Sequence, residues 1–235
     1  MAGRLAGGKG GEGMRLIGLK KAYAARTVLD GLDLEIHEGE TTCVFGKSGA
    51  GKTTILNVLA GLETCEGQVD GMPSSVGYVF QENRLLPHLT VRENLQYVGG
   101  RDAIIDELLS SAGILDLAER KAGKLSGGEK RRVAICRAFC VDAPCILLDE
   151  PFSALDSVTK EDLLALTMRM VKGRGKTAVF VTHDVDEGLA IADQIAVLAG
   201  GKIVERVDLP STDAPRAYGS MADAREKVLA ALRKY

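Results

Sequence analysis

Residues 41–59 read TTCVFGKSGAGKTTILNVL, and the rest of the chain is best read outward from them. A compact apolar run, 41–45, ends at Gly46; a glycine-rich loop follows, and helix-forming residues take over from Thr53. The loop GKSGAGKT at 46–53 has the P-loop spacing of a glycine, four residues, then Gly-Lys-Thr. Gly46, Gly49 and Gly51 let the backbone turn tightly and bring N–H groups close to phosphate oxygens. The following helix adds the positive end of its dipole. Lys52 supplies a mobile ammonium for β- and γ-phosphates, and Thr53 a hydroxyl for Mg²⁺, a hard cation that prefers oxygen. Lys47, Ser48, Ala50 and Thr54 complete the expected nucleotide-binding segment.

Upstream, 15–19, 27–28 and 32–36 read as short antiparallel strands with turns between them; Leu32, Leu34 and Ile36 alternate with Asp33 and Glu35. Downstream, 146–148 and 178–181 are continuous apolar runs, which suit parallel strands covered on both faces. Helices are predicted over 53–62, 126–141, 160–172 and 186–191. Strands alternating with helices argue for an α/β core with a mainly parallel sheet. Between 82 and 124 the pattern turns helical, with helices expected at 91–97 and 104–112 and no obvious strand. The predicted organisation is a disordered glycine-rich tail at 1–13, an α/β core at 14–82 and 136–207, an inserted helical subdomain at 83–135, and a C-terminal tail at 208–235 with a helix at 222–232.

A second chemical signal is CILLDE at 145–150, a buried strand ending in two carboxylates. Ligand groups in open α/β sheets gather at the carboxyl ends of strands. Asp149 is placed to hold Mg²⁺, and Glu150 to orient and deprotonate an attacking water. Two such carboxylates repel each other unless a cation or hydrogen bonds settle them. Alone, the pattern also fits a strand followed by a solvated acidic turn; beside a P-loop the metal-and-base reading takes over.

Composition narrows the class. The 235 residues carry 30 Lys and Arg against 32 Asp and Glu, a net charge of −2, so no basic footprint points to nucleic acid. No stretch approaches the roughly 20 apolar residues that span a bilayer. Cys43, Cys65, Cys136, Cys140 and Cys145 form no CxxC pair and read as small hydrophobes in a reducing compartment. His37, His88 and His183 offer too few neighbouring ligands for a metal site with them.

The segment LSGGE at 125–129, followed by KRRVAICRA, resembles the signature motif of ATP-binding cassette (ABC) ATPases. The resemblance runs from about 15 to 207. It implies a P-loop NTPase core with an N-terminal antiparallel β-subdomain and an inserted α-helical subdomain. It implies that Tyr23 stacks on adenine, that Gln81 joins the core to the helical subdomain and reaches Mg²⁺ and the reacting water, and that His183 hydrogen-bonds the γ-phosphate. Ser153, Ala154, Leu155 and Asp156 match the loop after the acidic pair. Ser126, Gly127, Gly128 and Glu129 open a helix whose free N–H groups make a second anion site. In the family that site serves ATP held by the other subunit, so two copies, or one copy and a paralogous ATPase subunit, sandwich two MgATP. Glu129 stands where glutamine is more usual and Lys47 where proline is common. The resemblance further implies an ATPase on the cytoplasmic face of the membrane that drives separate permease subunits, with a solute-binding protein in the full system. The run GYVFQENRLLPHLTVRENL looks most like importer ATPases of the nitrate, sulfonate and taurine group.

Overall fold

The computed structural model describes residues 13–24, 26–153 and 155–234. The tail expected at 1–13, Gly13 apart, lies outside the described residues, as does Ala154. Three strands, β1 (Met14–Tyr23), β2 (Arg26–Ile36) and β4 (Glu66–Asp70), form an antiparallel sheet in the order β2-β1-β4. Six others form the main sheet: β3 (Thr41–Phe45), β5 (Val76–Val79), β6 (Cys145–Asp149), β7 (Thr177–Thr182), β8 (Gln194–Ala199) and β9 (Lys202–Asp208). Their order is β5-β6-β7-β3-β8-β9, parallel throughout except at β9.

Every residue of β3, β6 and β7 is buried, which explains why their sequences do not alternate. The pleat still sorts them. Cys43, Phe45, Ile146, Leu148, Ala178 and Phe180 face the larger, helix-covered core. Val44, Leu147, Val179 and Val181 face a second core shared with β1, β2 and the helix α1 (Lys52–Leu59). The sheet is therefore a middle layer, and the carboxyl ends of β3, β5, β6 and β7 emerge along one edge.

The antiparallel region differs from expectation. In place of several short pieces there are two long strands, with register shifts next to Gly18 (φ 61°) and across the region of Gly31 (φ 75°). Such irregularities break period-two alternation without ending a strand. β4, β5, β8 and β9 were not foreseen. β4 is the polar run EGQVD, held as an edge by backbone pairing to β1.

Helix α2 (Val91–Gln96), α3 (Asp102–Ser111) and α4 (Gly127–Cys140) make the helical region, and α4 packs against α2, α3 and β5. Gly77 permits that approach: a Cβ there would sit 2.2 Å from the Ala138 carbonyl oxygen. Helix α5 (Ser157–Gly173) starts earlier than its apolar pattern because the Asp156 side chain accepts from the Thr159 N–H at 3.0 Å. Helix α6 (Val185–Ile191) follows β7, and α7 (Ala222–Lys234) buries Ala224 and Val228 against the core. The helix foreseen at 53–62 ends at Leu59, where the chain turns back and the Leu62 N–H bonds the Asn57 oxygen at 2.8 Å. Four cysteines are buried and Cys65 is partly so; burial pushes the Cys145 and Cys140 thiols up to about 12, which leaves them unreactive.

Candidate active site

The loop after β3 encloses a cavity of about 580 Å³ lined by Tyr23, Arg26, Val28, Ser48, Gly49, Gly51, Lys52, Thr53, Thr54, Gln81, Glu150 and His183. Gly51 has φ 108°, and a Cβ on it would lie 2.6 Å from Val28 Cγ1, so only glycine lets the loop enter α1 this close to β2. Lys52 is 5% exposed. Its ammonium donates to the carbonyls of Gly46 (2.9 Å) and Lys47 (3.3 Å) and stands 3.7 Å from Glu150 Oε1. The Arg26 guanidinium donates to the Gly49 carbonyl at 3.0 Å and braces the loop from β2.

Asp149 ends β6 and is 4% exposed. Burial raises its carboxyl above the ordinary value, and the Thr53 hydroxyl, which donates to it at 3.2 Å, works against that rise. A buried carboxylate beside an exposed hydroxyl is a pair of hard oxygens suited to a divalent cation. Gln81, exposed at the end of the segment following β5, lines the same opening. These residues therefore fit Mg²⁺.

Glu150 has φ 41°, a left-handed conformation that costs a non-glycine residue about 1–3 kcal/mol. Its N–H donates to Val181 O at 2.9 Å, and its carbonyl accepts from the Ser153 hydroxyl at 3.0 Å and from Arg131 at 3.2 Å. The strained turn aims the carboxylate between two cations or donors: Lys52 on one oxygen and His183 Nδ1, 3.1 Å away, on the other. A neutral His183 that donates from Nδ1 leaves Nε2 as an acceptor, so giving a hydrogen bond to phosphate requires a second proton or a ring rearrangement.

Tyr23 also lines the cavity. Its hydroxyl donates to the Glu63 carboxylate and lies 3.4 Å from Thr54 Oγ1. Burial, with Glu63 adding to it, holds its phenol above the usual range.

The helix start at Ser126–Glu129 lies outside this cavity, with Ser126 and Gly127 exposed. Ser126 Oγ accepts from the Glu129 N–H at 3.3 Å and Glu129 Oε2 accepts from the Ser126 N–H at 2.7 Å, a reciprocal capping box. The Ser126 N–H holds the Glu129 carboxyl below the usual carboxylate range.

A family profile described as ABC transporter matches residues 29–153. The chain belongs to the ABC transporter family. An aliphatic sulfonates import ATP-binding protein of Burkholderia cenocepacia is 35% identical over 231 residues, covering 92% of this chain and 86% of its own length. One of the same name from Rhodococcus jostii is 40% identical over 208 residues, covering 86% and 84%. A solved dimeric ATP-binding cassette in a post-hydrolysis state, bound to ADP and Pi, superposes with a TM-score of 0.74 at 31% identity, covering 85% of this chain and 100% of its own. Membership makes this ABC subunit an ATP-binding ATPase of a transport system, with the α/β P-loop fold expected from its motifs.

Of the residues singled out in the sequence, this ABC subunit brings Tyr23, Ser48, Gly49, Gly51, Lys52, Thr53, Thr54, Gln81, Glu150 and His183 to one cavity. Gly46 and Lys47 contribute carbonyls to Lys52, and the Ala50 N–H bonds Lys47 O at 3.1 Å within the loop. Sequence reasoning missed Arg26, Glu63 and Arg131. Arg26 and Glu63 carry no local pattern, and Arg131 sits in a cationic run, 130–132, that reads as a solvated face.

Proposed function

We propose that this chain is the motor of a bacterial importer of a small anionic solute, of the sulfonate kind that its relatives are named for. The observation that carries the catalytic reading is the Glu150 carboxylate, aimed by a left-handed backbone between Lys52 and His183 at the mouth of the P-loop.

In this reading the N–H groups of 46–54 wrap the β- and γ-phosphates, and Lys52 leaves the carbonyls of Gly46 and Lys47 to neutralise them. Tyr23 stacks on the adenine once Glu63 releases its hydroxyl. Thr53, Asp149 and Gln81 hold Mg²⁺, which supplies charge neutralisation for the phosphates when bound. Glu150 takes a proton from the attacking water; the new P–O bond forms as the bond to the β-phosphate oxygen breaks, giving ADP and phosphate. His183 orients the Glu150 carboxylate and contacts the γ-phosphate. Ser126, Gly127, Gly128 and Glu129 meet the triphosphate of a second copy, so ATP joins two subunits and hydrolysis parts them.

The segment 83–135 is the subdomain that passes this motion on, Ala224 and Val228 of the C-terminal tail pack on the core, and a solute-binding protein completes the system. Among the described residues no helix is long and apolar enough to cross a membrane. In this reading the subunit sits at the cytoplasmic face on separate permease chains.

The test is phosphate release by the purified chain together with its co-purification. Mg²⁺-dependent hydrolysis and recovery of an apolar multi-span protein are expected. A chain that binds ATP but neither hydrolyses it nor brings down such a partner would refute the motor.

A further inference from the structure

Among the described residues, the guanidinium of Arg131 makes the densest set of side-chain hydrogen bonds. It lies in the second turn of α4 and is 4% exposed. Nη1 donates to Phe80 O (2.6 Å), Gln81 O (3.2 Å) and Asn83 Oδ1 (3.2 Å); Nη2 donates to Glu150 O (3.2 Å); Nε donates to Pro151 O. One planar fork thus ties the helix that starts at Ser126 to both the segment carrying Gln81 and the turn carrying Glu150. A buried arginine satisfied by carbonyls rather than by a carboxylate ion pair is held by geometry, and no other side chain type supplies so many donors in a fixed plane. Arg137, two turns on, donates to Asn83 O (3.0 Å) and Arg84 O (2.6 Å), but not to 150–151, so the reach to Glu150 belongs to Arg131.

We propose that Arg131 is a positioning residue: it holds the left-handed backbone at Glu150 and the Gln81 segment to α4, so that a displacement of the α4 start moves the base and the Gln81 segment together. Arg131 touches neither nucleotide nor water in this scheme and acts through Glu150. The proposal rests on Glu150 being the base.

The test is single-turnover hydrolysis of γ-labelled ATP by wild type, Arg131→Gln, Glu150→Gln and the double variant, with KM and thermal melting for each. A misplaced catalytic group costs on the order of 100-fold in rate, so Arg131→Gln is expected to lose roughly tenfold to 100-fold in kcat with KM for ATP changed by less than about twofold. Arg131→Lys, which keeps the charge but not the fork, recovers part of the loss. In the Glu150→Gln background the Arg131 substitution adds clearly less than it costs in wild type, since the share of its effect that runs through Glu150 is already lost. Losses that multiply in the double variant, or a kcat fall in step with the unfolded fraction, overturn the proposal while leaving Glu150 in place. Near-normal turnover in Glu150→Gln overturns the base and the proposal with it. If Arg131→Gln does not fold, the same cycle with Arg131→Lys decides.

Discussion

The starts of α1 and α4 are both glycine-rich turns at the positive end of a helix, yet they are finished in opposite ways. α1 has Gly51 as its N-cap, no side chain accepting from its first N–H groups, and no acid in its first turn. α4 has Ser126 and Glu129 locked in a reciprocal cap. The first N–H groups of any helix lack acceptors within it. In α1 no side chain takes them, and in the proposed reading they meet phosphate, with Lys52 parked on the carbonyls of its own loop. In α4 the cap has already been made from the chain's own side chains, so the Ser126 and Glu129 N–H groups need no ligand and an incoming anion must share or displace Glu129. One start is a permanent grip; the other is suited to an intermittent one.

The largest expected effect tests both grips at once. Glu150→Gln should cut turnover by a factor on the order of 10²–10⁴ while ATP still binds, so that ATP-loaded dimers accumulate and elute early on a sizing column. Next, Lys52→Ala removes the charged donor of the permanent grip; hydrogen bonds to charged groups are worth about 1.5–3 kcal/mol, so calorimetry should show roughly tenfold to 100-fold weaker ATP binding. Unchanged affinity would detach the loop from the nucleotide. Ser126→Arg strikes the intermittent grip alone: no ATP-driven dimer, with affinity in the monomer within about twofold of wild type. A dimer that persists in this variant would remove α4 from the second subunit's nucleotide.

The smallest effect concerns pH. The Glu129 carboxyl is held below its usual range by the Ser126 N–H, so its contribution to the α4 start is fully present above the ordinary carboxylate range and fades as pH falls through its lowered value. Glu129→Gln should flatten that acid limb of thermal stability, changing it by about 0.3–1 kcal/mol, and should leave dimer formation intact or stronger. An identical acid limb in the variant would show that the Glu129 charge contributes nothing to the α4 start.

Much of the site was legible because its parts are local. A strand, a glycine-rich loop and a helix start lie within 41–59, and the acidic pair closes one strand at 149 and 150. The serine-glycine turn announces a helix by its own capping residues. What stayed hidden was non-local. β4 is too polar to read as a strand until β1 is beside it. β5 is four residues with a glycine whose meaning is the approach of α4. Arg26 and Glu63 matter only through the loop and tyrosine they reach across the fold.

By itself the sequence determined the class of fold and singled out the groups proposed for the chemistry: the loop at 46–53 and the acidic pair from residue types at short spacing, Tyr23, Gln81 and His183 from the family resemblance. The tertiary structure alone decided that Glu150 is aimed by a left-handed turn toward Lys52 and His183, and that Arg131 leaves the solvated face its neighbours suggest to bind five acceptors in the interior. Burial and hydrogen-bond direction depend on which strand ends meet at the sheet edge, and those ends come from segments tens of residues apart, beyond the reach of any local pattern.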